Sequence, residues 1–398
     1  MQIKPMVDSP SGRQGESDGD RQLSVPAFRS RPSPAEIPAT MLAAVYRGID
    51  DVRVERVPVP AIAAGEVLIR VDTCGVCGTD LKKIHTGSHS APRVFGHETA
   101  GVIAATGSGV RRFCVGDRVM VYHHIPCGEC YYCRKKTFAQ CPTYKRVGCT
   151  AGFEPSGGGF AEYVRVMDWI VERGLVKIPD GVPFEQAAFV EPLNTCYKGI
   201  RNLHLAPDET VLVIGQGPIG ILLASLAKRF ARNVLTADLY PERHRIAGQF
   251  GLDMPINASR EDVAAAARAA SDGRGADAVL VAAAGNALIR TAMDAARPGG
   301  RVLLFAQTQH GEAVVDPAAI CVDEKALLGS YSASIEVQDE CARIAFEEFH
   351  HGYDLTRLIS HRFPLDQAAA AIELASRPSA ESMKIVIQPG ISHPVERE

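Results

Sequence analysis

Short apolar runs dominate the chain from Met41 to about Pro192, and glycine, proline and aspartate interrupt them. β-branched runs bounded in this way are typical of strands. The runs are VRVERVPVP, EVLIRVDTC, AGVIAA, GDRVMVYHH and FAEYVRV. The pattern predicts an irregular, barrel-like β domain.

The pattern changes between Thr195 and Tyr331. Apolar runs of five or six residues, VLVIG, VLTAD, DAVLVA and RVLLFA, alternate there with alanine-rich helical stretches. Strand–helix alternation predicts an α/β fold with a doubly wound parallel sheet. Beyond Tyr331 we expect a helix around 337–350, a strand near 358–363, a helix around 365–376 and a strand at 383–388. These pieces are expected to return to the first domain.

Residues 1–40 differ from the rest of the chain, because they are rich in proline, serine, glycine and charge and show no periodicity. Such a segment buries too little apolar surface to offset its ordering entropy, so we predict that it is disordered. We hypothesise that Met41 is the biological start, which the intact mass of the native protein would test. Residues 391–398 are interpreted as a tail.

Length and composition indicate a soluble globular protein of two domains. The chain has 398 residues, 46% of them apolar and 22% charged, and a net charge of −3. That balance offers no footprint for nucleic acid or an acidic membrane, and no apolar run is long enough to span a bilayer. Eleven cysteines without a visible secretory signal favour reduced thiols and metal binding in a cytoplasmic setting.

Four cysteines form the strongest local signal, in the run CGECYYCRKKTFAQC. Their spacing is C-x2-C-x2-C-x7-C, at Cys127, Cys130, Cys133 and Cys141. A short loop with such spacing wraps round one tetrahedral zinc ion, and four thiolates leave no open position, so this site should be structural. The weaker alternatives are free thiols, a disulfide cluster and an iron–sulfur cluster, whose usual spacings differ.

A glycine-rich turn lies between the predicted strand VLVIG and a helix. A G-x-G-x-x-G motif in this context allows a dinucleotide pyrophosphate to approach a helix N-terminus. Proline suits the first helical turn, where a missing N–H does no harm. The candidate cofactor-binding residues of the turn are Gly215, Gly217, Pro218, Ile219 and Gly220.

The strand after this helix ends in Asp238. A carboxylate there would accept hydrogen bonds from the adenosine ribose and repel a 2′-phosphate, which favours NAD over NADP. Arg243 could serve a 2′-phosphate, but we interpret it as a solvated helix residue.

Three separated pieces of sequence supply candidate ligands for a catalytic metal: CGVCGTD, FGHE and FVEPLNT. They contain Cys77, Thr79, Asp80, His97, Glu98 and Glu191. A thiolate, an imidazole and one or two carboxylates make a zinc shell with a position left for water or substrate. Alternatively, Cys74 and Cys77 form a redox pair. His123 and His124 are interpreted as packed or solvated strand residues rather than lining of a cleft.

Together these motifs resemble the zinc-dependent medium-chain dehydrogenases, in the branch of sorbitol (L-iditol) 2-dehydrogenase and threonine 3-dehydrogenase. The resemblance covers about Met41 to Pro389 and also rests on GHETAG, VGDRV and GGFAEYV. It implies a GroES-like catalytic domain at residues 41–194 and 332–390 and a Rossmann coenzyme domain at 195–331. It further implies two zinc ions per chain, NAD, and a homodimer or homotetramer.

The resemblance also assigns roles to single residues. Cys77 and His97 match catalytic zinc ligands, and either Glu98 or Glu191 completes the shell, directly or through water. The supporting residues are Asp80, which would orient His97; Thr79, which takes the substrate proton; and Thr195, near the nicotinamide.

One position departs from the family pattern. Lys82 stands where liver-type members have the histidine that completes the proton relay. A lysine is normally charged at neutral pH and therefore a poor shuttle. His85 and solvent are the candidate exits for the proton.

The resemblance predicts oxidation of a secondary alcohol, such as a polyol, sugar alcohol or cyclitol, to its ketone with NAD. Alternatives are a threonine 3-dehydrogenase-like or simple alcohol dehydrogenase, and a zinc-free quinone or enoyl reductase. A different class is a catalytically silent NAD-binding zinc protein. Zinc content separates them, with two ions per chain expected for the enzyme, one for the silent protein and none for the reductase.

Overall fold

The computed structural model describes residues 37–146, 148–306 and 310–396. The predicted disorder of residues 1–40 therefore falls mostly outside the described residues. The last residue of that segment, Thr40, already belongs to the first strand.

Ten strands and six helices form the first part of the described chain. The strands are β1 (Thr40–Gly48), β2 (Asp51–Pro58), β3 (Val67–Gly75), β4 (Arg93–Val94), β5 (Glu98–Thr106), β6 (Arg118–Val121), β7 (Cys149–Ala151), β8 (Phe153–Ser156), β9 (Tyr163–Val166) and β10 (Leu175–Lys177). The helices are α1 (Gly78–Thr86), α2 (Tyr131–Arg134), α3 (Pro142–Lys145), α4 (Asp168–Arg173), α5 (Phe184–Ala188) and α6 (Val190–Leu203). β1 pairs with β2 and β4, while β10, β6, β5 and β3 are successive antiparallel neighbours in a larger mixed sheet.

A six-stranded parallel sheet forms the second part. Its strands are β11 (Thr210–Ile214), β12 (Asn233–Asp238), β13 (Pro255–Asn257), β14 (Ala276–Val281), β15 (Ala296–Leu304) and β16 (Ala326–Gly329). The order β13-β12-β11-β14-β15-β16 is that of a dinucleotide-binding fold, so the predicted α/β class is confirmed. The helices of this part are α7 (Pro218–Ala227), α8 (Pro241–Gly248), α9 (Val263–Ala269), α10 (Ala287–Ala295) and α11 (Pro317–Cys321).

The chain then returns to the first part, as predicted. It forms α12 (Gln338–Glu347), β17 (Ile359–Phe363), α13 (Ala368–Ser376), β18 (Lys384–Ile387) and β19 (Val395–Glu396). β18 pairs antiparallel with β3, with Val386 opposite Gly75. β19 pairs with β17, so part of the predicted tail is a strand. Short 3-10 helices cover Phe138–Gln140, Ile335–Val337, Glu348–His351, Leu355–Leu358 and Leu365–Gln367.

The boundary expected between residues 194 and 195 falls inside α6, which runs unbroken from Val190 to Leu203. Ten of its residues are buried, so the helix is packed along its length and joins the two parts without a break. No helix in the described ranges is long and apolar enough to cross a membrane.

Candidate active site

Strand pairing brings Cys77, His97 and Glu98 together. β3 ends at Gly75, directly opposite Glu98 at the start of β5. Cys77 follows β3 and His97 precedes β5, so both lie at the same end of this strand pair. One ligand atom from each of the three side chains lies within 4.8 Å of the others. This donor set fits a catalytic zinc ion with an open position.

Asp80 holds two members of this cluster in place. Its Oδ1 lies 2.9 Å from Nδ1 of His97, and its Oδ2 accepts a hydrogen bond from the backbone N–H of Cys77 at 3.3 Å. Cys77 is the N-cap of α1 and its Sγ accepts from the backbone N–H of Thr79 at 3.5 Å. With Nδ1 engaged by a carboxylate, Nε2 of His97 is the ring nitrogen left for a metal.

The electrostatics of the cluster favour a cation. Burial by itself lowers the pKa of His97, but Asp80 and Cys77 outweigh it and raise that pKa well above its ordinary value. A buried group that retains its proton so strongly occupies a strongly negative environment. A metal ion would relieve the same concentration of negative charge.

Lys384 is a site residue that the sequence did not reveal. Its Nζ forms an ion pair with Oε2 of Glu98 and donates to the carbonyl of Val76 at 3.0 Å. A Cβ at position 75 would lie 2.0 Å from Oε2 of Glu98, so the pair requires Gly75. The available signal was a lysine opening the apolar strand KIVI, because a lysine buried in a strand needs a charged partner.

Glu191 lies in the first turn of α6 and is not among the described groups whose ligand atoms converge within 4.8 Å. It is buried near them, and burial raises its pKa to about 7. Thr195, one turn along the same helix, donates its hydroxyl to the carbonyl of Pro192 at 2.8 Å.

Thr79 and Lys82 lie one helical turn apart on α1 and are both half-buried. His85, in the last turn of α1, contacts Asp50 through Nδ1 and the Ser376 hydroxyl through Nε2, the latter at 2.8 Å. His85 is therefore joined to β1–β2 and α13 at the far end of the helix from Thr79.

The four-cysteine run forms a compact tetrad of free thiols. Its measured Sγ–Sγ distances are 3.5 Å for Cys130–Cys133, 3.7 Å for Cys127–Cys141 and 3.9 Å for Cys127–Cys133. A tetrahedral ion with metal–sulfur bonds of about 2.3 Å requires sulfurs about 3.8 Å apart. The tetrad thus fits one zinc ion and not disulfides. Although burial raises the pKa of Cys141, backbone N–H donors lower it to about 6.

The glycine turn has the geometry of a nucleotide site. Gly215 has φ +97°, and a Cβ at Gly220 would lie 1.7 Å from the carbonyl oxygen of Gly215. Gly217 is the N-cap of α7, with Pro218 at the first helical position and Ile219 next. A Cβ at Gly217 would meet no atom within 4 Å, so the helix N-terminus is open to a ligand.

Asp238 lies beside this turn, where its Oδ2 accepts a hydrogen bond from the backbone N–H of Gln216 at 2.6 Å. The interpretation of Arg243 as a solvated residue is wrong. Its side chain is 14% exposed, lies 3.5 Å from Asp238 Oδ2, and donates to the carbonyl of Ser379 at 2.9 Å. Ser379 belongs to the C-terminal segment that returns to the first part. The sequence around Arg243 does not reveal this contact, because the two residues are far apart in the chain.

A row of rings extends from the metal cluster. His123 lies 4.9 Å from the His97 ring, His124 lies 3.9 Å from His123, and Tyr144 stacks on His124 at 5.0 Å. Burial holds the pKa of His123 well below its ordinary value and lowers that of His124 to about 3, so both rings are neutral. The two histidines are packed, as the sequence suggested, but they pack against the candidate site.

Family models match both parts of the chain. The alcohol dehydrogenase GroES-like domain matches residues 63–180, and the zinc-binding dehydrogenase domain matches residues 218–349. The predicted combination of a GroES-like domain with a Rossmann-like coenzyme domain is thereby confirmed.

Individual relatives span nearly the whole described chain. Sorbitol dehydrogenase of Bacillus subtilis strain 168 is 29% identical over 359 residues, which cover 89% of this chain and 98% of that protein. L-Threonine 3-dehydrogenase of Symbiobacterium thermophilum is 31% identical, covering 85% and 94%. A solved structure from Sinorhizobium meliloti 1021, assigned to the zinc-binding dehydrogenases and bound to NADP, has a TM-score of 0.78 at 28% identity, covering 88% and 100%. The chain therefore belongs to the zinc-type medium-chain dehydrogenases.

Proposed function

We propose that the chain is a zinc-dependent dehydrogenase that uses NAD to oxidise a secondary alcohol, of the polyol, sugar-alcohol or cyclitol class, to the ketone. The observation that carries this proposal is the convergence of Cys77, His97 and Glu98 within 4.8 Å, with Asp80 fixed behind His97. When bound, zinc supplies a Lewis acid and NAD a hydride acceptor, so that an alcohol yields a ketone, NADH and one proton.

The chain's own residues would prepare this reaction. Cys77, His97 and Glu98 would hold the metal, and Asp80 orients the imidazole. Lys384 balances the charge of Glu98.

Two further residues would handle the proton. Thr79, beside Cys77, would accept the substrate proton at its hydroxyl. Glu191, with a pKa of about 7, holds or releases a proton at its carboxyl near neutral pH and would serve as an alternative ligand.

The preference for NAD is argued from Asp238. Its carboxylate lies beside the glycine turn, where a 2′-phosphate would meet negative charge. Arg243 lies next to it, and the related S. meliloti structure is bound to NADP, so NADP is the competing cofactor. Steady-state kinetics with NAD and with NADP would distinguish the two cofactors. A kcat/KM at least about tenfold higher with NADP would contradict the proposed preference for NAD.

The substrate class is argued from the polar metal shell and the relatives. A thiolate, an imidazole, two carboxylates and Lys384 suit a substrate with several hydroxyl groups better than a simple alcohol. The related proteins act on sorbitol and L-threonine by name, which makes threonine the second candidate. A screen of NAD reduction across polyols, inositols, threonine and simple secondary alcohols compares these classes directly.

The metal site is tested with Cys77→Ser and His97→Ala. Turnover is expected to fall by at least about 1,000-fold while NAD binding persists and zinc drops from two ions per chain to one. Cys114→Ser is the matched control, because Cys114 pairs with Asp117 away from the cluster. Unchanged turnover in Cys77→Ser would refute the site. One zinc ion in the wild-type protein, with no turnover, would favour a silent NAD-binding protein.

A further inference from the structure

The chain passes between its two parts at two places, and side chains join them. The first crossing is α6, and the second is the segment 330–334 between β16 and α12. Asn194 of α6 is fully buried; its side chain accepts from the backbone N–H of Ser334 at 2.8 Å and donates to the Ser334 carbonyl at 3.0 Å. Lys198 donates to the carbonyls of Tyr331 and Ser332 at 2.7 and 3.3 Å. Residues 331–334 of the second crossing, the hinge segment, are therefore hydrogen-bonded to α6.

The second crossing is strained. Ser332 has φ +62°, a left-handed conformation that is uncommon for residues other than glycine. Such a conformation persists only where surrounding contacts hold it, and it is often found at segments that move or position a site.

Tyr144 of the four-cysteine loop also contacts Ser332. Its hydroxyl lies 2.8 Å from Oγ of Ser332 and donates to the carbonyl of Ala333 at 3.0 Å. Its ring belongs to the small buried cluster of the four-cysteine loop, with Cys133, Ala139 and Cys141. The fold of that loop thus sets where the Tyr144 hydroxyl lies.

The loop makes a second contact just beyond the hinge segment, where Nζ of Lys136 lies 2.7 Å from Oε1 of Glu336 in the short helix Ile335–Val337. This pair is exposed and contributes little by itself. The Tyr144 ring also stacks on His124, which begins the row of rings leading to His97. Tyr144 therefore contacts the four-cysteine loop, the hinge segment and the ring row at once.

We propose that Tyr144 is a positioning residue that fixes the hinge segment 331–334 to the four-cysteine loop and thereby aligns the nucleotide-binding part with the catalytic cluster. The inference rests on the proposed function for its effect on hydride transfer. It assigns the four-cysteine loop a role in catalytic alignment, besides stability.

Tyr144→Phe removes both hydrogen bonds and keeps the ring. Amide hydrogen exchange at 331–336 is expected to accelerate, and single-turnover hydride transfer to slow by about tenfold, as the loss of two hydrogen bonds would allow. The dissociation constant for NAD is expected to stay within about twofold, because the two hydrogen bonds that are removed go to Ser332 and Ala333 and not to the glycine turn. Tyr131→Phe is the matched control, since Tyr131 is an exposed tyrosine of the same loop.

Ser332→Ala retains Tyr144 and removes only the hydrogen bond between the two side-chain hydroxyls. It therefore tests the proposal if Tyr144→Phe fails to fold. Its effect on hydrogen exchange and hydride transfer should be smaller and in the same direction. Wild-type values of both quantities in Tyr144→Phe would overturn the proposal, and so would a lower melting temperature with unchanged hydride transfer. If the wild type oxidises no alcohol, the proposed function fails, and hydrogen exchange alone then decides the link to the hinge.

Discussion

At the scale of single residues, the candidate site depends on buried charges that compensate one another. Glu98 and Lys384 have side chains only 2% and 9% exposed, and their pair lies against the metal cluster. Burial opposes the charge of Lys384, but Glu98 and Cys77 outweigh it and raise the pKa of Lys384. Neither charge is tolerated alone in such surroundings.

Lys384→Met should therefore destabilise the protein by about 3–5 kcal/mol when the catalytic metal is absent, because Glu98 loses its partner. With zinc bound the cost should be smaller, since the metal balances the carboxylate. Urea unfolding with and without catalytic zinc measures both values. The double variant Lys384→Met with Glu98→Gln is the control and should recover most of the loss; equal stability of Lys384→Met and wild type without metal would contradict the argument.

The raised pKa of Glu191 gives a prediction about pH. The unfolded chain loses this proton near pH 4.5 and the folded protein near pH 7. Between these values the folded state binds more protons, so the free energy of unfolding should fall as the pH rises, by about 3 kcal/mol in total. The measurement is made on protein whose catalytic site contains no metal and whose four-cysteine site contains zinc. Glu191→Gln should remove this part of the pH dependence. If the unfolding free energy of the variant and of the wild type changed equally with pH, burial would not control the pKa of Glu191.

At the scale of elements, two glycines of the same turn have different structural roles. A Cβ at Gly220 meets the Gly215 carbonyl, whereas a Cβ at Gly217 meets nothing. Gly220 therefore allows α7 to pack against β11, and Gly217 leaves room for a ligand at the start of α7.

Gly220→Ala should lower the free energy of unfolding by about 3 kcal/mol, because backbone cannot move aside as a flexible side chain does. Gly217→Ala should leave it unchanged, since φ is −69° there, and yet weaken NAD binding at least about tenfold. Denaturant unfolding and NAD titration of both variants give the comparison. Wild-type NAD affinity in Gly217→Ala would argue against a pyrophosphate at this turn.

At the scale of the whole molecule, β16 is the last strand of the parallel sheet on one side. It exposes Leu327, and the segment before it exposes Val322. Open strand edges with apolar side chains pair readily with another chain.

We expect this edge to join two copies into the predicted homodimer or into half of a homotetramer. Leu327→Glu should shift the protein towards monomer in light scattering, because it places a charge on the pairing edge. Ile49→Glu, a matched change at an exposed apolar residue of the β1–β2 turn, should leave the mass unchanged. A wild-type mass equal to one chain would contradict the expectation.

The sequence by itself determined the elements and the local motifs. Strand and helix periods, the glycine turn and the four-cysteine spacing are encoded by residues close together in the chain, so their physics is local. The C-terminal pieces at 337–388 were likewise predicted within a few residues, because each carries its own apolar period. The domain boundary placed at 194/195 stays a prediction; it lies within α6, where apolar packing continues through that point.

Only the tertiary structure decided which distant residues meet. Lys384 lies opposite Glu98 because β18 pairs with β3, a contact between residues about 300 positions apart. Arg243 is half-buried and bonded to the Ser379 carbonyl of the C-terminal segment, and Tyr144 of the four-cysteine loop contacts Ser332 in the hinge segment. These contacts depend on chain topology, and a local pattern such as the lysine opening KIVI can indicate that a buried charge needs a partner but not which distant residue supplies it.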